Sequence, residues 1–237
     1  MDESKPIKHF LKAKFARLLP AYRGMRQWAS ELRPKKSVFN AIYRHRTWDD
    51  SESISGPGSN LKQTEGLRAE LPGLLAKLKT TSLLDAPCGD FNWMRETKLD
   101  LENYIGADIV PDLIAENRKK FGTSNRSFVV LDLTTDVLPR VDVIFCRDCL
   151  VHLSHKNVTA ALKNFKRSGS KYLLTTTYPG VQENHNIATG GWRPLNLQLS
   201  PFHLPEPDAL VDERAVENNG IRSNKHLGLW SLARVNL

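Results

Sequence analysis

Four acidic residues and one histidine stand where short apolar runs break into polar sequence. Asp85 closes Ser82-Leu83-Leu84, and Asp108 closes Tyr104-Ile105-Gly106-Ala107. Asp132 closes Val130-Leu131, and Asp148 and His152 follow Val141-Asp142-Val143-Ile144-Phe145-Cys146. A carboxylate at such a break can accept two hydrogen bonds at once, which suits a pair of neighbouring hydroxyls. Asp108 lies 23 residues after Asp85, close to the spacing of roughly 20 residues at which an acid meets a ribose. His152 is the residue type that titrates near neutrality. It can take the proton from a weak nucleophile such as an alcohol as that oxygen reacts. Asp148 is a base, an orienter or a structural acid. Plain roles stay open as well: Asp108 as a helix cap, Asp132 as a turn residue, His152 as a packed or capping side chain.

The elements that would position these groups alternate. Strands are expected at 82–86, 103–108, 127–132, 141–147 and 170–177. Helices are expected at 61–79, 92–98, 111–121 and 155–168. Such βαβ alternation predicts a mostly parallel sheet with helices on both faces, an α/β Rossmann-like fold. Nearly continuous apolar strands fit burial on both sides. In Asp85-Ala86-Pro87-Cys88-Gly89-Asp90 the glycine lets a ligand approach the backbone. Past Pro179 the pattern stops. Residues 179–208 carry five prolines and three glycines, with Trp192, Leu195, Leu197, Leu199 and Phe202 among them. An ordered excursion is expected there, then a last strand within 227–235.

Charge divides the chain. Of the 34 basic and 26 acidic residues, twelve and three fall in residues 1–46, a net of +9 against −1 for the rest. Two parts are therefore expected: a basic helical extension, 1–46, and a catalytic domain, 47–237. Ile7, Phe10, Leu11, Phe15, Leu18, Leu19 and Tyr22 recur at helical spacing within 6–33. That helix either packs on the domain or lies through residues 1–35 on an anionic membrane surface. No apolar run is long enough to span a bilayer, and lysines interrupt any signal peptide. Three cysteines give no disulfide framework, in keeping with a cytoplasmic location. Cys146-Arg147-Asp148-Cys149 lacks the second pair a zinc site needs, and no metal is expected.

The ordered set of strand-end residues resembles the motifs of class I S-adenosylmethionine-dependent methyltransferases over about residues 80–177. A narrower resemblance spans nearly 48–235. It rests on Glu52-Ser53-Ile54-Ser55-Gly56, Leu84-Asp85-Ala86-Pro87-Cys88-Gly89-Asp90-Phe91-Asn92-Trp93-Met94, Arg147-Asp148-Cys149-Leu150-Val151-His152-Leu153, Tyr172-Leu173-Leu174-Thr175-Thr176-Thr177 and Trp192-Arg193-Pro194-Leu195-Asn196-Leu197. These are similar to a bacterial group tied to glycan synthesis, including methyltransferases of the fucose of rhizobial nodulation signals. The chain departs from the usual glycine-rich turn, keeping only Gly89 where Pro87 and Phe91 replace glycines.

The resemblance implies S-adenosyl-L-methionine as cofactor. It places Asp85, Ala86, Gly89, Asp108, Ile109, Asp132, Leu133 and Arg147 around it, with Ser55 and Ser59 on a lid that could otherwise be a surface loop. It implies His152 and Asp148 as catalytic groups and Tyr178, His185, Trp192 and Arg193 as acceptor contacts. The expected activity is O-methylation of a sugar hydroxyl in a glycan or lipo-oligosaccharide such as a nodulation factor. The rivals are an RNA or protein methyltransferase anchored by the basic extension, and a non-catalytic cofactor-binding subunit. Nucleic acid is the less expected partner, because the basicity does not belong to the body.

Overall fold

Apolar strand residues alternate between two cores. In the first strand Leu83 packs into one apolar cluster and Leu84 into the other, although both are fully buried. Successive side chains of a strand point to opposite faces, so the sheet must be covered on both. The computed structural model describes residues 33–48, 50–214 and 224–237. Its helices are α1 (Lys35–Arg44), α2 (Glu65–Lys77), α3 (Pro111–Phe121) and α4 (His155–Arg167). The strands are β1 (Ser82–Asp85), β2 (Asn103–Asp108), β3 (Arg126–Val130), β4 (Val143–Cys146), β5 (Tyr172–Thr177), β6 (Ala209–Asp212) and β7 (His226–Ser231).

The sheet order is β3-β2-β1-β4-β5-β7-β6. Strands β3, β2, β1, β4 and β5 run parallel, and β7 runs antiparallel to both β5 and β6. The Rossmann-like, mostly parallel architecture is the one the alternation calls for. Helix α4 shows why the pattern is legible. Val158, Ala161, Leu162 and Phe165 lie at i, i+3, i+4 and i+7 and are all buried. Ser154 caps it, its hydroxyl accepting from the Asn157 N–H. In α3, Pro111 occupies the first turn, where a missing N–H costs nothing.

Three elements differ from expectation. Residues 92–98 form only a 3₁₀ turn at Met94–Glu96, because Thr97 is extended and ends it. Strand β6 falls in a stretch with no alternating pattern, and pairing with β7 makes it. Helix α1 was counted with the basic extension, yet it packs over the body. Tyr43 donates to Glu116 on α3, and Phe39 meets the core. A boundary at 46/47 thus cuts a segment that belongs with the domain. The excursion 179–208 is ordered through Leu195, Leu197, Phe202 and Leu204, all buried in the α4-side core. The helix expected at 6–33 lies outside the described residues, apart from Arg33. Among the described residues no helix is long and apolar enough to cross a membrane.

At the opposite end of the sheet from the strand-end acids, Asp142 ties β1 to β4. Its Oδ2 accepts from the Thr81 and Ser82 amides at 2.9 and 3.0 Å and from both hydroxyls, and Lys171 Nζ lies 2.7 Å from Oδ1. Burial acts to raise this carboxyl, but Lys171, Thr81 and Ser82 outweigh it and hold the pKa well below the ordinary range. A depressed acid contributes stability above its unfolded value and loses it as pH falls toward the folded one. Asp142→Ala is expected to cost about 1.5–3 kcal/mol at pH 7. The difference from the wild type should shrink below about pH 4, where the unfolded carboxyl begins to protonate. Urea unfolding across pH measures both.

Candidate functional site

Strand order reverses at β1, whose neighbours are β2 and β4. A parallel sheet opens a crevice at the carboxyl ends of its strands at such a switch. A cavity of about 480 Å³ lies there, within the range of small-molecule sites. Its floor is the strand ends. Its cover is α1 with Trp48, plus the loop 54–59.

The first turn fixes the cover. Gly89 has φ +53°, and a Cβ there would stand 2.3 Å from Ser55 Oγ. Only glycine lets the loop come so close. Asp90 then clamps the loop: it accepts from the Ser53 and Ser55 hydroxyls and from the Ile54 amide, and its own N–H donates to Ser55 Oγ. Asn92 donates to Glu52 at 2.6 Å and to the Ser59 carbonyl at 3.2 Å. The Ser-Gly-Pro segment is therefore pinned to the β1 turn, not a free surface loop.

At the end of β2, Asp108 accepts from the Val110 amide at 3.0 Å. Burial pushes its carboxyl up to about 6, while the amides of Val110, Gly89 and Ile109 hold it down. Ile109, Val110, Leu113, Leu131 and Leu133 give this half of the cavity an apolar wall. Asp132 stands two residues past β3. Its Oδ1 accepts from the Thr134 amide and hydroxyl, and its Oδ2 lies 3.4 Å from Lys35 Nζ on α1. It is thus a turn residue and a cavity residue at once.

At the end of β4 four charges meet. Arg147 is 5% exposed and donates twice to Glu213 Oε2, at 2.9 and 2.7 Å, and once to the Gly58 carbonyl. Lys225 bonds Asp148 and lies 3.1 Å from Glu213. Burial acts to lower the Arg147 pKa, but the carboxylates of Glu213 and Asp148 outweigh it and leave it raised. Burial acts to raise Asp148, but Lys225 and Arg147 prevail and hold it well below the usual carboxylate range. Nearby, His152 Nδ1 is 2.7 Å from the Gly191 carbonyl. A carbonyl can only accept, so Nδ1 carries the hydrogen and Nε2 keeps its lone pair. Burial pushes the imidazole pKa below its ordinary value, countered in part by Gly191 and Asp148. Trp48 stacks on the ring at 4.3 Å, and Tyr178 and Trp192 complete an aromatic half-cavity, edge to face at 6.4 Å.

Of the residues singled out in the sequence, the cavity brings together Ser55, Ser59, Gly89, Asp108, Ile109, Asp132, Leu133, Arg147, Asp148, His152, Tyr178 and Trp192. Four do not line it. Asp85 is buried beneath the turn, where Tyr104 donates to it and burial raises its carboxyl to about 7. Ala86 is fully buried, its amide bonded to the Phe145 carbonyl. Arg193 spends its guanidinium on the Leu150, Leu153 and His185 carbonyls, so it frames the excursion and does not face a ligand. His185 is exposed, outside the cavity wall. Sequence reasoning missed Lys35, Phe39, Ile42, Tyr43 and Trp48 on the cover, the clamp Asp90, and the pair Glu213 and Lys225. Asp90 stood inside a motif already quoted. Glu213 and Lys225 flank a strand pair whose register only the folded sheet reveals.

Removing one partner from a buried charge cluster strands the others. Glu213→Ala leaves Arg147 and Lys225 with Asp148 alone, and the expected loss of stability is about 3–5 kcal/mol. Denaturant unfolding of the purified variant reads it directly. A loss below 1 kcal/mol would mean that the cluster is open to water.

Residues 83–169 match a family model described as a methyltransferase domain. No curated protein matches the chain. Among solved structures, Burkholderia thailandensis 1,6-didemethyltoxoflavin-N1-methyltransferase is similar at 15% identity and TM-score 0.58, over 85% of this chain and 87% of that one. The methyltransferase domain of bacterial CtHen1 is similar at 12% identity and TM-score 0.52, over 73% of this chain and all of that one. At these identities the structural likeness speaks for the fold alone. A methyltransferase-domain sequence over β1 to α4, on a sheet of this order with its cavity at the strand ends, makes the chain an S-adenosylmethionine-dependent methyltransferase of the class I fold.

Proposed function

We propose that the chain O-methylates a sugar hydroxyl of a glycan or lipo-oligosaccharide, a nodulation-factor type of acceptor among them. The observation that carries this reading is His152. Its Nδ1–H is committed to Gly191, and its Nε2 lone pair belongs to a ring that lines an aromatic-walled half-cavity. An amine acceptor that is already unprotonated has less need of a base, whereas an alcohol must lose its proton as it reacts. Trp48, Tyr178 and Trp192 offer apolar faces for the C–H surface of a sugar ring. The negative charge of Asp148 favours a protonated His152 and so opposes the effect of burial on the imidazole.

The residues fit the cofactor. Gly89 lets the serine loop close over the β1 turn, where a Cβ would collide with Ser55. Asp108 would accept both ribose hydroxyls, Ile109 and Leu133 would lie against the adenine, and Asp132 would take its amino group. Gly89, Ser55, Ser59 and Arg147 would surround the methionine part, with Asp85 and Ala86 buried beneath that turn. S-adenosylmethionine would supply an electrophilic sulfonium methyl, so that a C–O bond to the acceptor would form as the C–S bond breaks and its electron pair leaves with sulfur. His152 Nε2 accepts the hydroxyl proton of the acceptor. The fold supplies proximity and alignment.

Asp108→Ala is expected to weaken S-adenosylhomocysteine binding by about 1.5–3 kcal/mol in calorimetry, the range for hydrogen bonds to a charged group. His152→Ala should lower turnover about 10²–10⁴-fold with cofactor affinity little changed. The acid limb of the wild-type pH profile should lie below the ordinary histidine value, in line with the lowered pKa. Labelled cofactor incubated with cell extract, followed by mass spectrometry, identifies the acceptor. A methylated protein or RNA in place of a glycan would overturn the sugar reading.

A cytoplasmic enzyme peripheral to the membrane fits the net charge of +9 in residues 1–46. Each lysine near an anionic bilayer contributes about 1 kcal/mol. The full-length chain is expected to sediment with anionic liposomes at low salt and to be released at high salt. Failure to sediment at low salt would refute the membrane contact through residues 1–35.

A further inference from the structure

We infer that Trp48 is a positioning residue for the base: it holds the His152 imidazole so that Nδ1 meets Gly191 and Nε2 stays open to the acceptor. The inference rests on the reading of His152 as the base. Two constraints fix a histidine ring. One is a hydrogen bond at one nitrogen, and the other is a wall that prevents rotation about χ2. Gly191 supplies the first at 2.7 Å. Trp48 supplies the second, its ring 4.3 Å from the imidazole and 30° from parallel.

Trp48 is itself held from two sides. Phe39 of α1 meets it edge to face at 6.1 Å. Gly56 of the serine loop has φ +96°, and a Cβ there would stand 2.9 Å from the Trp48 carbonyl and 3.2 Å from its Cβ. The same helix steadies the carbonyl that receives Nδ1–H. A Cβ on Gly190, whose φ is +97°, would lie 2.6 Å from Val38 Cγ1, so α1 packs directly on the Gly190–Gly191 turn. Both constraints on the imidazole therefore run through α1. Lys35, at the other end of that helix, reaches Asp132 in the opposite half of the cavity. The charged groups acting on His152 are Asp148, Arg193 and Lys225. All three are committed to other partners, so none replaces the wall if it is removed.

The test uses the full chain with ¹⁵N-labelled histidine, the His152 resonances assigned through His152→Gln. In the wild type the Nδ1–H tautomer is expected, with a lone-pair shift at Nε2. Trp48→Ala should lose that signature toward an averaged pair of nitrogens and lower kcat about 10- to 100-fold, as small misplacements of a reacting group do. Its affinity for S-adenosylhomocysteine should stay within about twofold and its thermal midpoint close to the wild type. Trp48→Phe, which keeps an aromatic face, should restore the signature and most of the turnover. If Trp48→Ala keeps the wild-type tautomer, the inference is overturned, whether or not turnover falls. If His152→Ala retains turnover, the reading of the base fails instead, whatever the tautomer does.

Discussion

The charge cluster of Arg147, Asp148, Glu213 and Lys225 is the interaction on which the site depends. It joins three points distant in sequence: the end of β4, the residue after β6 and the residue before β7. Taking four ions from water costs several kcal/mol each, and mutual attraction repays that only with good geometry. Here two cations face two anions, and two nitrogens of Arg147 converge on the single oxygen Oε2 of Glu213. The cluster adds little net stability over an apolar packing of the same volume. What it adds is position. It sets the peptide at Asp148, which has φ +50° and whose amide donates to Thr176 Oγ1 of β5. From that point the chain turns through the 3₁₀ segment Leu150–His152 to the imidazole proposed as the base.

The cover of the cavity hangs from the same centre. Arg147 donates to the Gly58 carbonyl, and a Cβ on Gly58 would lie 3.2 Å from Asp148 Oδ2. The serine loop is thus held from one side by the β4 cluster and from the other by Asp90 on the β1 turn. One clamp is ionic and buried, the other a carboxylate fully engaged by hydroxyls and amides. Loops with their polar groups satisfied in this way keep a ligand-ready shape. α1 is attached differently. It buries no residue completely, and its polar contacts are spread over Asp132, Glu116 and Asp112. Few buried apolar contacts mean a low local stability.

The parallel part of the sheet could be read from the chain because its strands are short apolar runs, and the helices between them have a 3.6-residue rhythm. Val158, Ala161, Leu162 and Phe165 of α4 show how plain that rhythm is. The strand-end acids followed from the sheet, since a parallel sheet presents ligands at one edge. What stayed hidden has three physical causes. Glu213 and Lys225 act only through the β6–β7 register, which no local pattern encodes. Arg193 looked like a ligand-facing cation, because sequence does not show that three backbone carbonyls claim it. Trp48 precedes a polar stretch and carries no periodic signal of its own. Its role arises from Gly56 and Gly190, two glycines whose value lies in what comes close to them.

The charge balance inside the cavity bears on the acceptor. Its three lining cations, Lys35, Arg147 and Lys225, each face a carboxylate: Asp132 for the first, Glu213 and Asp148 for the others. A site built for a polyphosphate would leave cations uncommitted, since charge-assisted bonds to phosphate give such sites their strength. Here the half of the cavity proposed for the acceptor offers the faces of Trp48, Tyr178 and Trp192 and one imidazole. Trp192 is 58% exposed although it sits between Gly191 and the anchored Arg193. An aromatic ring at a cavity mouth, edge to face with Tyr178 and not needed by the core, suits recognition by stacking and shape. A neutral, hydroxyl-bearing ring meets those terms.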